Sequence, residues 1–155
     1  MSIVAAADLH DVLTAGIVIA AIRLIWVDYK RLEIELETLT LMAAIAVLQS
    51  ALYVDVFETG IRLFAGAAFW GVLVFSSTRF AGLARFGAGD PPLIGVIAFL
   101  VAPYVLYWAL IAAVMMLMTC AWYSIRRGKR LFKSMYPAAP PLLVSGMLVY
   151  LIAWA

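Results

Sequence analysis

Charge is what this chain has least of. Only 13% of its 155 residues are Asp, Glu, Lys or Arg, against ~25% in soluble domains. It contains one cysteine, Cys120, and one histidine, His10. An internal disulfide and a multi-cysteine metal site are therefore excluded, and no metal site or cofactor is expected. The opening residues, MSIVAAADLHDV, lack the basic stretch that precedes the apolar part of a cleaved signal peptide, so the apolar segment that follows reads as a first span. Apolar residues fill the space that charge leaves. They make up 67% of the chain, and the mean hydropathy is +1.08. This is the composition of an integral membrane protein, with residues 1–155 expected to form a single polytopic membrane domain with short loops.

Charge-poor apolar runs lie at roughly 12 to 27, 39 to 54, 61 to 78, 92 to 125 and 139 to 155. Crossing ~30 Å of hydrocarbon takes ~20 helical residues. The fourth run would reach ~51 Å as one helix. Pro103, which has no N–H for the preceding turn, offers a break near its first third. The expected fold is accordingly all-α, with six transmembrane helices of which the fourth is short.

The basic residues provide a separate test of that count, because Lys and Arg in short loops stay on the cytoplasmic side. Lys30 and Arg31 follow span one, Arg79 and Arg85 follow span three, and Arg126, Arg127, Lys129, Arg130 and Lys133 follow span five. Only Arg23, inside span one, and Arg62, in the outer loop YVDVFETGIR after span two, fall elsewhere. Both termini are thus expected outside. The basic loops at 79 to 85 and 126 to 133 share the cytoplasmic side only if the chain crosses twice between them, which again places a turn at Pro103. Trp26, Tyr29, Tyr104, Trp122, Tyr123 and Tyr136 fall near span ends, as an aromatic belt does.

Most of the acids suit a solvated surface. Asp8 and Asp11 lie near the outer N-terminus, where they are expected to cap span one, and Asp55 and Glu58 lie in an outer loop. Glu33, Glu35 and Glu37 alternate with Leu32, Ile34 and Leu36 in an interfacial link before span two, where acids favour the positive end of a helix.

Asp28 and Asp90 stand apart. Asp28 closes span one and Asp90 opens span four, both on the cytoplasmic side. A short span four draws Asp90 below the membrane surface, where an acid is costly unless it meets a wet cavity or a partner. Gly87 and Gly89 in FGAGDPPLIG clear side chains from around it and permit unusual backbone angles, so another extended backbone has room to approach. Two carboxyls side by side resist ionising together, so one holds a proton while the other polarises water for attack on an amide carbonyl. The structural alternatives are Asp28 paired with Lys30 or Arg31, and Asp90 as the N-cap of span four ahead of Pro91. Arg23, five residues before Asp28, either snorkels to the interface or holds Asp28 ionised.

The stretch GAGD at 87–90 resembles the Gly-x-Gly-Asp motif of the type IV prepilin peptidases, membrane aspartic proteases. The setting is similar too. Asp28 follows span one, Asp90 opens span four, GIRLFAGAAFWGVLVF at 60–75 resembles the family's Gly-punctuated third span, and YPAAPPLLVSGML at 136–148 resembles the Pro-containing start of its last span. The chain is similar to the short forms that lack an N-terminal methylation domain. The resemblance implies Asp28 and Asp90 as catalytic residues, Gly87 and Gly89 beside the substrate, and cleavage at the cytoplasmic face of the bacterial inner membrane. The implied partners are a prepilin-like precursor with a basic leader and an apolar helix, and the lipid bilayer, without nucleic acid. Two departures stand out: the Ile-Pro-Asn that usually follows the first Asp is replaced by Ile34-Glu35-Leu36, and Pro91-Pro92 replaces the usual Val-Lys. An inactive relative and a small proton-coupled transporter are the alternatives.

Overall fold

The structure is a computed structural model that describes residues 3–79, 89–127 and 137–154. Gly87, Arg85, Lys129, Arg130, Lys133 and Tyr136 lie outside the described residues. Among those described, the chain forms helices and no strand. The helices are α1 (Ile3–Arg31), α2 (Leu36–Tyr53), α3 (Val56–Arg79), α4 (Asp90–Val101), α5 (Val105–Arg127) and α6 (Ala139–Trp154). Four stretches are long and apolar enough to cross a bilayer: Asp8–Arg31, Leu36–Tyr53, Val56–Ser76 and Val105–Arg126. The other two helices, α4 and α6, have 12 and 16 residues, below the length of a full straight crossing.

The expected break at Pro103 is present. Helix α4 ends at Val101, the Tyr104 N–H closes a turn onto the Val101 carbonyl at 2.7 Å, and the Ala102–Pro103 peptide is cis. The expected cap at Asp8 and Asp11 is not. Helix α1 starts at Ile3, so both acids lie inside it. The run Ala5-Ala6-Ala7 just ahead of them has the highest helix propensity of any residue type and carries the helix back past the acids.

Helix α4 is the centre of the bundle. It packs against α2, α3, α5 and α6, and nine of its twelve residues are buried, among them Leu93, Ile97 and Ala98. A helix that is apolar all round suits such a position. Its contact with α3 is set by two glycines. A Cβ on Gly66 would lie 2.9 Å from the Gly95 carbonyl oxygen, and one on Gly95 would lie 3.1 Å from the Gly66 carbonyl oxygen. Small residues at this crossing let the backbones meet directly. Gly71, by contrast, faces open space. The outward faces of α3 and α5 carry exposed large apolar side chains, including Phe57, Phe64, Leu106 and Ile125. Such faces are costly in water and suit a lipid bilayer.

Buried polar groups tie the helices together at the end where α1 starts and α6 finishes. The Tyr150 hydroxyl donates to Gln49 Oε1 at 2.6 Å, and Gln49 Nε2 donates to Thr14 Oγ1 at 3.0 Å. These bonds join α6, α2 and α1. Arg62, expected in an outer loop, is instead buried in α3. Its Nη2 donates to Glu58 Oε1 at 2.6 Å and its Nη1 to the Leu100 carbonyl at 3.1 Å. Four carbonyls at a helix end have no intrahelical partner, and the guanidinium satisfies one of those left by the early stop of α4. Glu58 is thereby a partner of Arg62 rather than a purely solvated acid.

Candidate acid pair

Three helix ends and one link converge at the opposite end of the bundle. Asp28 lies in the last turn of α1 and is 5% exposed. Its Oδ2 accepts a hydrogen bond from the Ala139 backbone N–H at 2.8 Å. The sequence of α6 explains the demand for that acceptor. Ala139 is followed by Pro140 and Pro141, which have no N–H, and Leu142 N–H already bonds the Ala138 carbonyl. The Ala139 N–H is the first donor inside the helix, and a carboxylate there also meets the positive end of the helix. Asp28 thus caps α6 from a distance. Among the described residues it forms no ion pair with Lys30 or Arg31, and Lys30 sits over the Trp26 ring at 4.1 Å.

Asp90 is the first residue of α4, with Gly89 as the N-cap residue. The expectation that Asp90 would itself be the N-cap is off by one residue, because Gly89, already near helical angles at φ −84° and ψ −17°, supplies the carbonyl for Leu93 N–H at 3.2 Å. Helix α4 begins Gly89-Asp90-Pro91-Pro92-Leu93 and α6 begins Ala138-Ala139-Pro140-Pro141-Leu142. Each proline pair removes two of the donors that a helix start leaves unpaired. Both starts lie at the end of the bundle where α1 finishes, since Asp28 of α1 bonds Ala139 of α6 and Gly89 of α4 lies against Ile34 of the link after α1.

The link between α1 and α2 completes this end. Leu32 leaves α1 with a φ of 56°, in the left-handed region, and its N–H bonds the Asp28 carbonyl at 2.8 Å. Arg23 holds Glu35 through two bonds, Nε to Oε2 at 2.6 Å and Nη2 to Oε1 at 2.7 Å. Thr38 Oγ1 donates to the same carboxylate. These donors hold the Glu35 carboxyl down at about 2. Arg23 is therefore the partner of Glu35, and the alternative in which it holds Asp28 has the guanidinium on the wrong acid. Between Leu32 and Glu35, the Ile34 side chain lies against Gly89. A Cβ on Gly89 would fall 2.5 Å from Ile34 Cβ. The close approach that glycine was expected to permit is thus made by the chain's own link. Gly87 lies outside the described residues.

No family model matches this chain, and no curated protein or solved structure does.

Chemically, the end of the bundle offers one buried carboxyl with one oxygen held by a backbone donor, and a second, half-buried carboxyl at the start of α4. Among the described residues no group of three or more His, Cys, Asp or Glu stands ready to hold a metal ion. Sequence reading gave no role to Ala139 or Thr38, and took Ile34 as part of an interfacial alternation and as the one residue kept from the Ile-Pro-Asn pattern. The Pro140-Pro141 pair was a usable signal for Ala139, since it marks a helix start short of donors. Nothing local marks Ile34 as the neighbour of Gly89.

Proposed function

We propose that this chain is a membrane aspartic endopeptidase resembling the type IV prepilin peptidases, with Asp28 and Asp90 as the catalytic pair. The observation that carries the reading is one of placement: Asp28 closes α1, and Gly89, the residue before Asp90 at the start of α4, lies against Ile34 of the link that leaves α1, so both acids belong to one end of the helical bundle. By the charge distribution of the loops, that end faces the cytoplasm of a bacterial inner membrane, with both termini outside. The substrate would be a prepilin-like precursor whose basic leader meets this face while its apolar helix lies in the bilayer.

In the proposed mechanism, the ionised acid takes a proton from a water as its oxygen attacks the scissile carbonyl carbon. The protonated acid donates to the carbonyl oxygen, giving a neutral gem-diol. The diol then collapses as a proton passes to the departing amide nitrogen, the C–N bond breaks, and the pair returns to one shared proton. The products are the leader's new carboxylate and the mature N-terminal amine.

One observation favours a second reading, an inactive relative that binds precursors. The bond from Ala139 already gives Asp28 a structural use as a helix cap. Co-expression of a prepilin with wild type, Asp28→Asn and Asp90→Asn separates the readings, since Asn keeps an oxygen acceptor for Ala139 but cannot serve as a base. Processing by wild type that is lost in both variants at normal protein level supports the peptidase. Processing that survives either substitution sinks the pair. Proton flux in proteoliposomes without proteolysis would favour the transporter instead.

A further inference from the structure

We propose that Ile34 is a positioning residue that sets the separation of the two carboxyls by clamping the start of α4 onto the end of α1. The role rests on the peptidase reading and deepens it. The link carrying Ile34 is fixed at both ends: at Leu32 by the hydrogen bond to the Asp28 carbonyl, and at Glu35 by Arg23 of α1 and Thr38 of α2. Only residues 33 and 34 lie between these anchors, so the link has little freedom to shift against α1.

Ile34 transmits that rigidity to α4. It packs on the hydrophobic core, and it meets Gly89 through its Cβ, Cγ1 and Cγ2, which a Cβ at position 89 would approach to 2.5, 2.7 and 3.3 Å. A branched Cβ is stiff about χ1, so these atoms cannot swing aside as the tip of a long side chain would. Gly89 immediately precedes Asp90. Any change in the Ile34 contact therefore moves Asp90 relative to Asp28, which is tied to α6 through Ala139. The carboxyl separation governs both the coupling of their protonation and the fit of one water between them.

The test is cleavage of a prepilin with a basic leader by purified protein in proteoliposomes, comparing wild type, Ile34→Val, Ile34→Ala, Gly89→Ala and the Gly89→Ala/Ile34→Ala pair. A misplacement of catalytic groups by about 1 Å costs up to ~100-fold. Ile34→Ala is expected to lower kcat by about tenfold or more on that scale, with KM within about twofold of wild type. Its pH–rate profile should also narrow, as the two apparent pKa values of the pair move together with weaker coupling. Ile34→Val keeps the branched Cβ and should restore most of kcat. Gly89→Ala should lose cleavage, and adding Ile34→Ala should recover part of it. Wild-type kcat and pH profile in Ile34→Ala would overturn the clamp and leave the peptidase reading standing. A gain in kcat/KM through a lower KM would overturn it too, since the link would then be an obstruction to substrate. Failure of the wild type to cleave overturns the peptidase reading and the clamp together.

Discussion

Asp28→Ala should destabilise the fold, and Asp28→Asn should not. In the wild type, Asp28 Oδ2 accepts the Ala139 N–H at 2.8 Å in a buried site. Alanine removes the acceptor and leaves that donor without a partner. An unsatisfied buried donor costs ~1–3 kcal/mol, and loss of an N-cap costs ~1 kcal/mol; the two descriptions cover the same bond, so about 2 kcal/mol is a fair expectation. Asparagine retains a side-chain oxygen at nearly the same place, and its cost should stay below about 0.5 kcal/mol if the amide turns that oxygen toward Ala139. For a chain of roughly this size 1 kcal/mol moves Tm by about 2–4 °C, so the alanine variant should melt about 4–8 °C lower. Tryptophan fluorescence melts in a mild detergent provide the assay. An Asp28→Ala protein as stable as wild type would refute the capping role, and an Asp28→Asn protein as unstable as Asp28→Ala would show that charge, rather than the hydrogen bond, holds α6.

Other consequences follow from the packing and the polar contacts. Gly66→Ala puts a Cβ within 2.9 Å of the Gly95 carbonyl oxygen and should cost about 1–3 kcal/mol through separation of α3 from α4; Gly71→Ala meets nothing and should be neutral or stabilising by up to ~1 kcal/mol, which parallel detergent melts will compare. Tyr150→Phe removes the donor to Gln49 Oε1 and should cost about 1–2 kcal/mol, with a smaller loss when Gln49→Leu is present, measured as a double-mutant cycle. The Glu35 carboxyl is held at about 2 against an ordinary 4.5. Its folded value lies below its unfolded one, so its stabilisation is complete above pH about 4.5 and is lost as pH falls toward about 2. Melts of wild type and Glu35→Gln should therefore differ at neutral pH and converge across that window, and a difference that persists at pH about 2 would count against the Arg23–Glu35 link as its source.

The parts of the fold that came through in the sequence are those fixed by local composition. Apolar runs bounded by charge mark the helices, and Pro103 marks the break because its missing N–H is a local fact. The helix starting at Ile3 was hidden because Asp8 and Asp11 look like capping residues, while the alanines before them carry no polar signal. Arg62 was misread for a similar reason. Its neighbours Asp55 and Glu58 suggest an outer loop, but its partner, the Leu100 carbonyl, exists only because α4 stops early and lies beside α3. Asp28 and Asp90 stood out individually, as acids at the ends of apolar runs. What each one bonds to, and that Ile34 lies on Gly89, depends on contacts between elements distant in the sequence.

The proline pair after Asp90, which departs from the pattern of the family this chain resembles, makes structural sense beside the second pair after Ala139. A helix that starts at membrane depth cannot rely on water for its first N–H groups, and each unmet group is expensive there. Two prolines in succession delete two of those donors, and their fixed φ of about −65° suits a first turn. Both α4 and α6 are short, begin at the same end of the bundle and use the same solution, with the following leucine closing the first helical bond in each, from Leu93 to Gly89 and from Leu142 to Ala138. In α6 the donor just ahead of the prolines is met by Asp28; in α4 the corresponding residue is Asp90 itself. The same short helices that need few caps begin beside Asp28 in α6 and at Asp90 in α4, and proline at 92, where the family that the sequence resembles usually has lysine, gives a helix start that can lie buried without an ammonium group beside it. Under the proposed peptidase reading, the acids are polarised by two helix N-termini rather than by an ammonium group, so Pro92→Lys should shift the pH optimum of prepilin cleavage while leaving cleavage itself in place, and a pH profile unchanged from wild type would refute that account.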